Sequence, residues 1–217
     1  MALLVAAGGG VAAQPAPASP AAPAPVPAAP ECAPPGPGGT ARCVYRAGVP
    51  SVGFLTECAD ARDCRVGYYH GSLDRPTWLT PPAGWRTLPR PLVLWHGALL
   101  GEARFPCETG CAVSYFFDAR RRRLSAPRRN ALAFDARRLL VAVPEGGALV
   151  VRQVFGAGRE VARIERPWAG GAPSAAAISG ARFEPDGRLV FQWRPADGRP
   201  AVAERVSIPP VPRGSDG

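Results

Sequence analysis

The chain has 217 residues and a formal net charge of +9 at pH 7, and all 26 of its basic residues are arginines. This charge favours anionic partners. Nucleic acid is a poor candidate, because the sequence has no recognition-helix, zinc-finger or aromatic RNA-binding motif. After its Ala/Pro-rich beginning, the chain is long enough for one core, or for one core with a small annex, which excludes a set of several large domains.

Residues 1–13 form an apolar run that is typical of an export signal. The run ends in Val-Ala-Ala, so we expect cleavage before Gln14. A signal normally begins with a basic residue, whereas the first one here is Arg42. Either the leader is unusual or truncated, or the run is a disordered Ala/Gly-rich tail. It is too short to span a bilayer as a helix, so we expect no transmembrane segment in the mature chain.

Residues 14–31 alternate proline with small residues. Such a segment favours polyproline II, cannot bury a core and acts as a semi-stiff linker. We therefore expect one exported β domain over 32–210. It would have a disulfide-rich part (32–112) and a β-meander part (113–210).

Six cysteines fall into three close couples: Cys32/Cys43, Cys58/Cys64 and Cys107/Cys111. An even set of this kind in an exported chain predicts disulfides, and with them a periplasmic or secreted bacterial protein. Six cysteines allow 15 connectivities, so nearest-neighbour pairing is a hypothesis. The alternative is a four-cysteine zinc site, but the spacings are looser than those of zinc ribbons. We expect neither a metal nor a cofactor.

Two tryptophans, Trp78 and Trp85, lie among prolines between the second and third couples. They are either core residues or exposed anchors of a rigid recognition surface, which would lose little conformational entropy on binding. The nearby His70-Gly-Ser72-Leu-Asp74 contains the residue types of a catalytic triad. Triad members normally come from distant positions, and no nucleophile-elbow pattern is present, so this stretch predicts a polar turn.

His96-Gly97 followed by Thr109-Gly110-Cys111 resembles the His-Gly and Ser-His-Gly-Cys pattern of bacterial L,D-transpeptidases, which crosslink the cell wall. The resemblance covers about 16 residues. It implies Cys111 as nucleophile, His96 as base and Gly110 at the oxyanion site, chemistry that a thiolate beside an imidazole can perform. The sequence departs from the pattern where Glu-Thr replaces Ser-His, where the following arginine is missing, and where Cys107 is placed to form a disulfide with Cys111.

Arginines cluster in the middle of the chain and form the remaining candidates for a binding surface: Arg120, Arg121, Arg122, Arg123, Arg128 and Arg129. They would grip an anionic partner through paired hydrogen bonds. The alternative is a solvated hairpin tip in a chain whose default cation is arginine.

Short apolar runs rich in β-branched and aromatic residues predict strands at 92–95, 113–117, 139–143, 149–155, 189–193 and 202–208. Acidic residues begin several of the intervening turns. Asp118, Asp135 and Glu184 are expected to accept turn N–H groups rather than to form a catalytic carboxylate pair.

These patterns predict an all-β fold: an antiparallel meander packed as a sandwich or open barrel, with a disulfide-braced, loop-rich N-terminal part. For function they favour a binding protein over an enzyme. The most concrete version is an inhibitor or immunity-type protein directed at an envelope-acting enzyme. The alternatives are a cysteine transpeptidase that uses His96 and Cys111, and an envelope structural or polyanion-binding protein. The partner would be a protein or an anionic envelope polymer.

Overall fold

The computed structural model describes residues 25–35, 39–107 and 111–211. The predicted export signal and residues 14–24 of the linker lie outside this part. The regular secondary structure of the described residues is antiparallel β-strand, apart from a single 3-10 turn at Ala169–Gly171. The predicted fold class is therefore confirmed.

Sheet 1 holds five strands: β2 (Glu31–Ala33), β3 (Ala41–Arg46), β4 (Val52–Cys58), β5 (Cys64–His70) and β6 (Thr77–Trp78). Sheet 2 holds six: β1 (Val26–Pro27), β7 (Leu92–Trp95), β8 (Leu100–Pro106), β9 (Ala112–Asp118), β10 (Arg123–Leu124) and β11 (Arg128–Arg129). The end of the predicted linker thus enters sheet 2, where Val26 pairs with Trp95.

Sheet 3 holds four strands: β12 (Ala133–Asp135), β13 (Leu140–Glu145), β14 (Ala148–Gln153) and β15 (Glu160–Ile164). Sheet 4 holds three: β16 (Ile178–Phe183), β17 (Arg188–Trp193) and β18 (Val202–Ser207). All six predicted strands are present. The long strands β3, β4 and β5 in the part expected to be loop-rich were not predicted.

The four sheets stack as layers in chain order. One face of sheet 2, which carries Phe105, Tyr115 and Phe117, packs on sheet 1 in the largest core. Its other face, with Leu100 and Phe116, packs on sheet 3. Sheet 3 packs on sheet 4 with its remaining face. Successive residues of a strand point to opposite faces of its sheet. A sheet that is covered on both faces, such as sheet 2 or sheet 3, therefore has apolar residues at odd and even positions alike.

All six cysteines lie in the described residues and form the three predicted bridges: Cys32–Cys43, Cys58–Cys64 and Cys107–Cys111. The first two bridges join residues that are direct partners in the register of sheet 1. The third bridge joins the ends of β8 and β9 in sheet 2. Because β8 pairs with β9, the predicted boundary between the disulfide-rich part and the β-meander part, at residue 113, falls inside sheet 2. The chain passes to sheet 3 only after Arg129.

Candidate functional site

Cys111 is bonded to Cys107, so its sulfur is not a thiolate. The imidazole of His96 hydrogen-bonds to Glu102 instead. Gly110 lies outside the described residues. The four cysteines of the alternative zinc site are all taken up by two bridges. No cluster of three or more metal-ligating side chains occurs among the residues that the structure describes.

The turn predictions hold for two of the three acids. Asp118 Oδ1 accepts the N–H groups of Arg120 and Arg121 at 3.1 and 3.3 Å, and Asp135 does the same for the two residues that follow Ala136. Glu184 differs, because its carboxylate pairs with Arg205 at 3.0 Å.

In that third turn the N–H acceptor is Asp186, which takes the N–H of Arg188 at 3.0 Å. The stretch from His70 to Asp74 is an exposed polar turn, in which Ser72 Oγ accepts the N–H of Asp74. The predicted polar turn is therefore present.

Trp78 and Trp85 are both half-buried. Trp78 pairs with Gly67 in sheet 1, and the guanidinium of Arg65 lies 4.2 Å from the centre of its ring. Trp85 packs against the largest core. Both rings are thus held by contacts within the chain and remain only partly exposed.

The arginine cluster divides into two groups. Arg120, Arg121 and Arg122 are exposed at the turn between β9 and β10, and we call this segment the arginine tip. Arg123 instead lies over the ring of Phe155, 5.0 Å from its centre.

The second arginine run divides in the same way. Arg128 donates to the carbonyls of Gln153 and Val154 at 3.2 and 3.0 Å, and burial lowers the pKa of its guanidinium. Arg129 is exposed and reaches the carbonyl of Ala83 at 3.4 Å. Arg123 and Arg128 therefore hold sheet 2 against sheet 3, while the arginine tip faces solvent.

A cleft of about 380 Å³ lies beside the arginine tip. Arg120, Arg121 and Arg137 line it together with His96 and a single carboxylate, that of Asp118. We call it the basic cleft. Three guanidinium groups around one carboxylate leave an excess of positive charge there.

A larger cavity of about 890 Å³ opens between sheets 2, 3 and 4, and we call it the interlayer cavity. His96, Glu102 and Arg104 come from sheet 2 and the hairpin beside it, while Phe134 and Phe183 come from sheets 3 and 4. His96 borders both this cavity and the basic cleft.

Glu102 is a fully buried carboxylate at the edge of the interlayer cavity. Its oxygens accept hydrogen bonds from His96 Nε2 at 2.9 Å, from Arg104 Nε at 2.9 Å and from Ser114 Oγ at 2.7 Å. Burial acts to raise its pKa, but the hydrogen bond from His96, the charge of Arg104 and the hydrogen bond from Ser114 together lower it below the ordinary value. The carboxylate is therefore ionised at neutral pH.

The geometry of this network positions groups rather than activating a nucleophile. In a serine relay the hydroxyl donates to the imidazole, which in turn donates to the acid. Here Ser114 and His96 both donate to Glu102, so the imidazole is not the acceptor of the Ser114 hydroxyl proton. An ionised carboxylate can only accept hydrogen bonds, so Nε2 of His96 must carry the hydrogen of this bond.

The role of Glu102 was missed in the sequence, although His96 was singled out. Glu102 lies two residues from Leu100 in β8, so its side chain points to the same inner face of sheet 2. A charged residue at a strand position whose neighbours two residues away face the core is the sequence feature that would have identified it.

No protein-family model matches this chain, and comparisons with curated proteins and with solved structures find no match either. Three disulfides are typical of proteins outside the cytosol, so the chain is a non-cytoplasmic, disulfide-bonded all-β protein. None of the described residues belongs to an apolar helix of membrane-spanning length.

Proposed function

We propose that this protein is an exported binding protein, periplasmic or secreted from a bacterial cell, that recognises another protein with an acidic surface. In its most concrete form it is an inhibitor or immunity-type protein that blocks an envelope-acting enzyme. The observation that carries the proposal is the arginine tip, where three consecutive exposed arginines stand on a turn whose backbone is held by Asp118.

The backbone of the arginine tip is ordered before any partner binds. The turn connects β9, which is buried along nearly its whole length, to β10. Because the backbone is already fixed, binding costs mainly side-chain entropy. Arginine also presents a planar fork of donors that matches a carboxylate, which suits it to an acidic protein surface.

The charge around the tip supports the same conclusion. The basic cleft extends the positive surface from the tip to Arg137, with Asp118 as its single carboxylate. Such a surface speeds the encounter with a negatively charged partner and discourages positively charged ones. The transpeptidase alternative would first require reduction of the bond between Cys107 and Cys111. Titration with a thiol reagent should therefore find no reactive sulfur in the folded protein.

The proposal is tested with a photo-crosslinking residue at position 121, in cells that export the protein, followed by purification of the captured partner. We expect a protein whose activity falls when this chain binds, with a Kd that rises steeply with salt. The triple variant Arg120→Gln, Arg121→Gln, Arg122→Gln should weaken binding about tenfold or more.

The matched control replaces three exposed arginines elsewhere, Arg75, Arg86 and Arg194, with glutamine. Both triple variants lower the net charge by the same amount, so only contact at the tip distinguishes them. If both triple variants weaken partner binding equally, or if the protein binds only heparin or lipopolysaccharide and no protein partner, the proposal is contradicted and polyanion binding is favoured.

A further inference from the structure

We propose that the interlayer cavity is a binding site for an uncharged, polyhydroxylated ligand, namely a sugar residue or a short saccharide. This site is distinct from the arginine tip and does not depend on the function proposed for it. Its volume of about 890 Å³ lies in the range that accommodates small-molecule ligands.

The first argument is charge balance in the lining. Four carboxylates line the cavity: Glu102, Asp135, Glu184 and Asp186. Four arginines line it as well: Arg104, Arg137, Arg138 and Arg182. The cavity therefore has no excess of either sign, in contrast to the basic cleft. A charged ligand would gain little there and would lose its hydration.

The second argument is that the most buried of these charges are already paired with one another. Arg104 pairs with Glu102 at 2.9 Å, and Arg138 pairs with Asp135 at 2.6 Å. The carboxylate of Glu102 is buried and already accepts three hydrogen bonds, but the side chains of Arg104 and Asp186 are 39% and 43% exposed and keep donors and acceptors for a ligand. A hydroxyl group both donates and accepts, so several hydroxyls on one ring match such a lining better than an anion or a cation does.

The third argument concerns the apolar part of the lining. Phe134 is half-buried, and its ring is tilted by 34° against that of the fully buried Phe116, with the two centres 4.6 Å apart. Phe183 lies under the guanidinium of Arg138, 5.5 Å away. A sugar ring has an apolar C–H face surrounded by hydroxyls, so aromatic walls beside paired charges are complementary to both of its surfaces.

The fourth argument is the energetic cost of the Glu102 network. Burying a carboxylate between two packed sheets carries a desolvation penalty, which its donors and ion pair then offset. An apolar residue at position 102 would serve packing at least as well. The network instead holds the ring of His96 at the edge of the cavity through its Nε2.

The test uses saturation-transfer NMR and calorimetry on the full disulfide-bonded protein. The probes are glucose, mannose, galactose, N-acetylglucosamine, maltose and cellobiose, each compared with glucuronate, glucosamine and glucose 6-phosphate. We expect at least one neutral sugar to bind with a Kd of about 1 mM or below, and its charged counterparts to bind at least tenfold more weakly.

Phe183→Ala removes one half-buried wall of the cavity and should weaken the neutral sugar about tenfold or more. Phe183→Leu should restore part of the affinity, which separates loss of the wall from misfolding. The triple variant of the arginine tip is the control and should bind the sugar as the natural chain does.

Three results would overturn this assignment: no binding of any neutral probe at about 10 mM, tighter binding of the charged probes, or a Kd unchanged by Phe183→Ala. If the protein binds a neutral sugar but the triple arginine-tip variant binds its protein partner as the natural chain does, this inference stands and the proposed function is contradicted.

Discussion

The two halves of the molecule are stabilised in different ways. Sheets 1 and 2 carry all six cysteines and enclose the largest core. Sheets 3 and 4 have no cysteine and depend on a core built around Trp168, Phe191 and Trp193. Each bridge connects neighbouring strands of one sheet, and none joins two layers. The disulfides therefore stabilise hairpins and strand register, while apolar packing holds the layers together.

Reduction of all three bridges is the change expected to separate the halves most clearly. Each bridge closes a short loop and contributes about 2–3 kcal/mol in the chain-entropy treatment. Hydrogen exchange on the reduced, alkylated chain should show loss of protection across 41–118, with 140–207 still protected. Equal loss of protection in both halves would show that they form one cooperative unit.

Trp168→Ala addresses the second half directly. The side chain is 1% exposed, its ring centre lies 5.5 Å from that of Trp193, and its Nε1–H donates to the carbonyl of Gly147 at 2.9 Å. We expect a loss of about 3–5 kcal/mol in the free energy of unfolding by urea. The matched control Trp85→Ala, at a half-buried site in the first half, should cost less. A larger loss for the control would contradict the comparison.

Gly101→Ala tests the packing between sheets 1 and 2. A Cβ at this position would lie 2.7 Å from Phe54 Cε2 and 2.7 Å from Trp95 Cζ3, so the layers would have to move apart. Overpacking of this kind costs about 1–3 kcal/mol.

The control for that substitution is Gly48→Ala. A Cβ there would come no closer than 3.7 Å to Ala98, so stability should change little. Urea unfolding of both variants gives the comparison, and equal stability of the two would show that sheets 1 and 2 are less tightly packed than described.

The smallest expected effect lies where the two halves meet, at Glu102. Its folded-state pKa is below the ordinary value of 4.5, so the stabilisation is fully present above that value. It is lost as the pH falls through the lower, folded-state pKa. The difference in unfolding free energy between the natural chain and Glu102→Gln should therefore be constant from about pH 7 to pH 5 and shrink in more acidic solution.

The control for the acid measurement is Glu165→Gln, at an exposed position in the second half. Its effect on unfolding free energy should be small throughout the same pH series. A difference for Glu102→Gln that does not change with pH would show that Glu102 contributes no ionised-state stabilisation.

Several parts of this molecule were predictable because they are local. The turns at Asp118 and Asp135 and the nearest-neighbour bridges follow from short patterns, and so do strands β7, β9, β13, β14, β17 and β18. Strands β8, β15 and β16 were not predicted. The strands of sheet 1 were missed because β4 and β5 each contain a glycine and have a cysteine at one end, residues that in a sequence more often indicate a turn or a loop.

The candidate sites depend on contacts that no local spacing encodes. Glu102 meets Ser114 because β8 and β9 pair with Arg104 opposite Ser114 and Glu102 opposite Phe116. Similarly, nothing in the arginine run separates Arg123, which lies over Phe155, from its exposed neighbours. That division arises only when sheet 3 packs against sheet 2.

Confinement of each bridge to one hairpin also has a mechanical consequence. When the oxidised chain is pulled from its ends, the segment between two bridged cysteines cannot be extended. The bridged residues are 11, 6 and 4 positions apart in the sequence. Each bridge still spans 4.0 to 5.0 Å between its Cα atoms, so the fully stretched chain should be shorter than its reduced form by about 60 Å. No disulfide joins two layers, so under load the layers should separate at their apolar interfaces while the bridged hairpins stay closed.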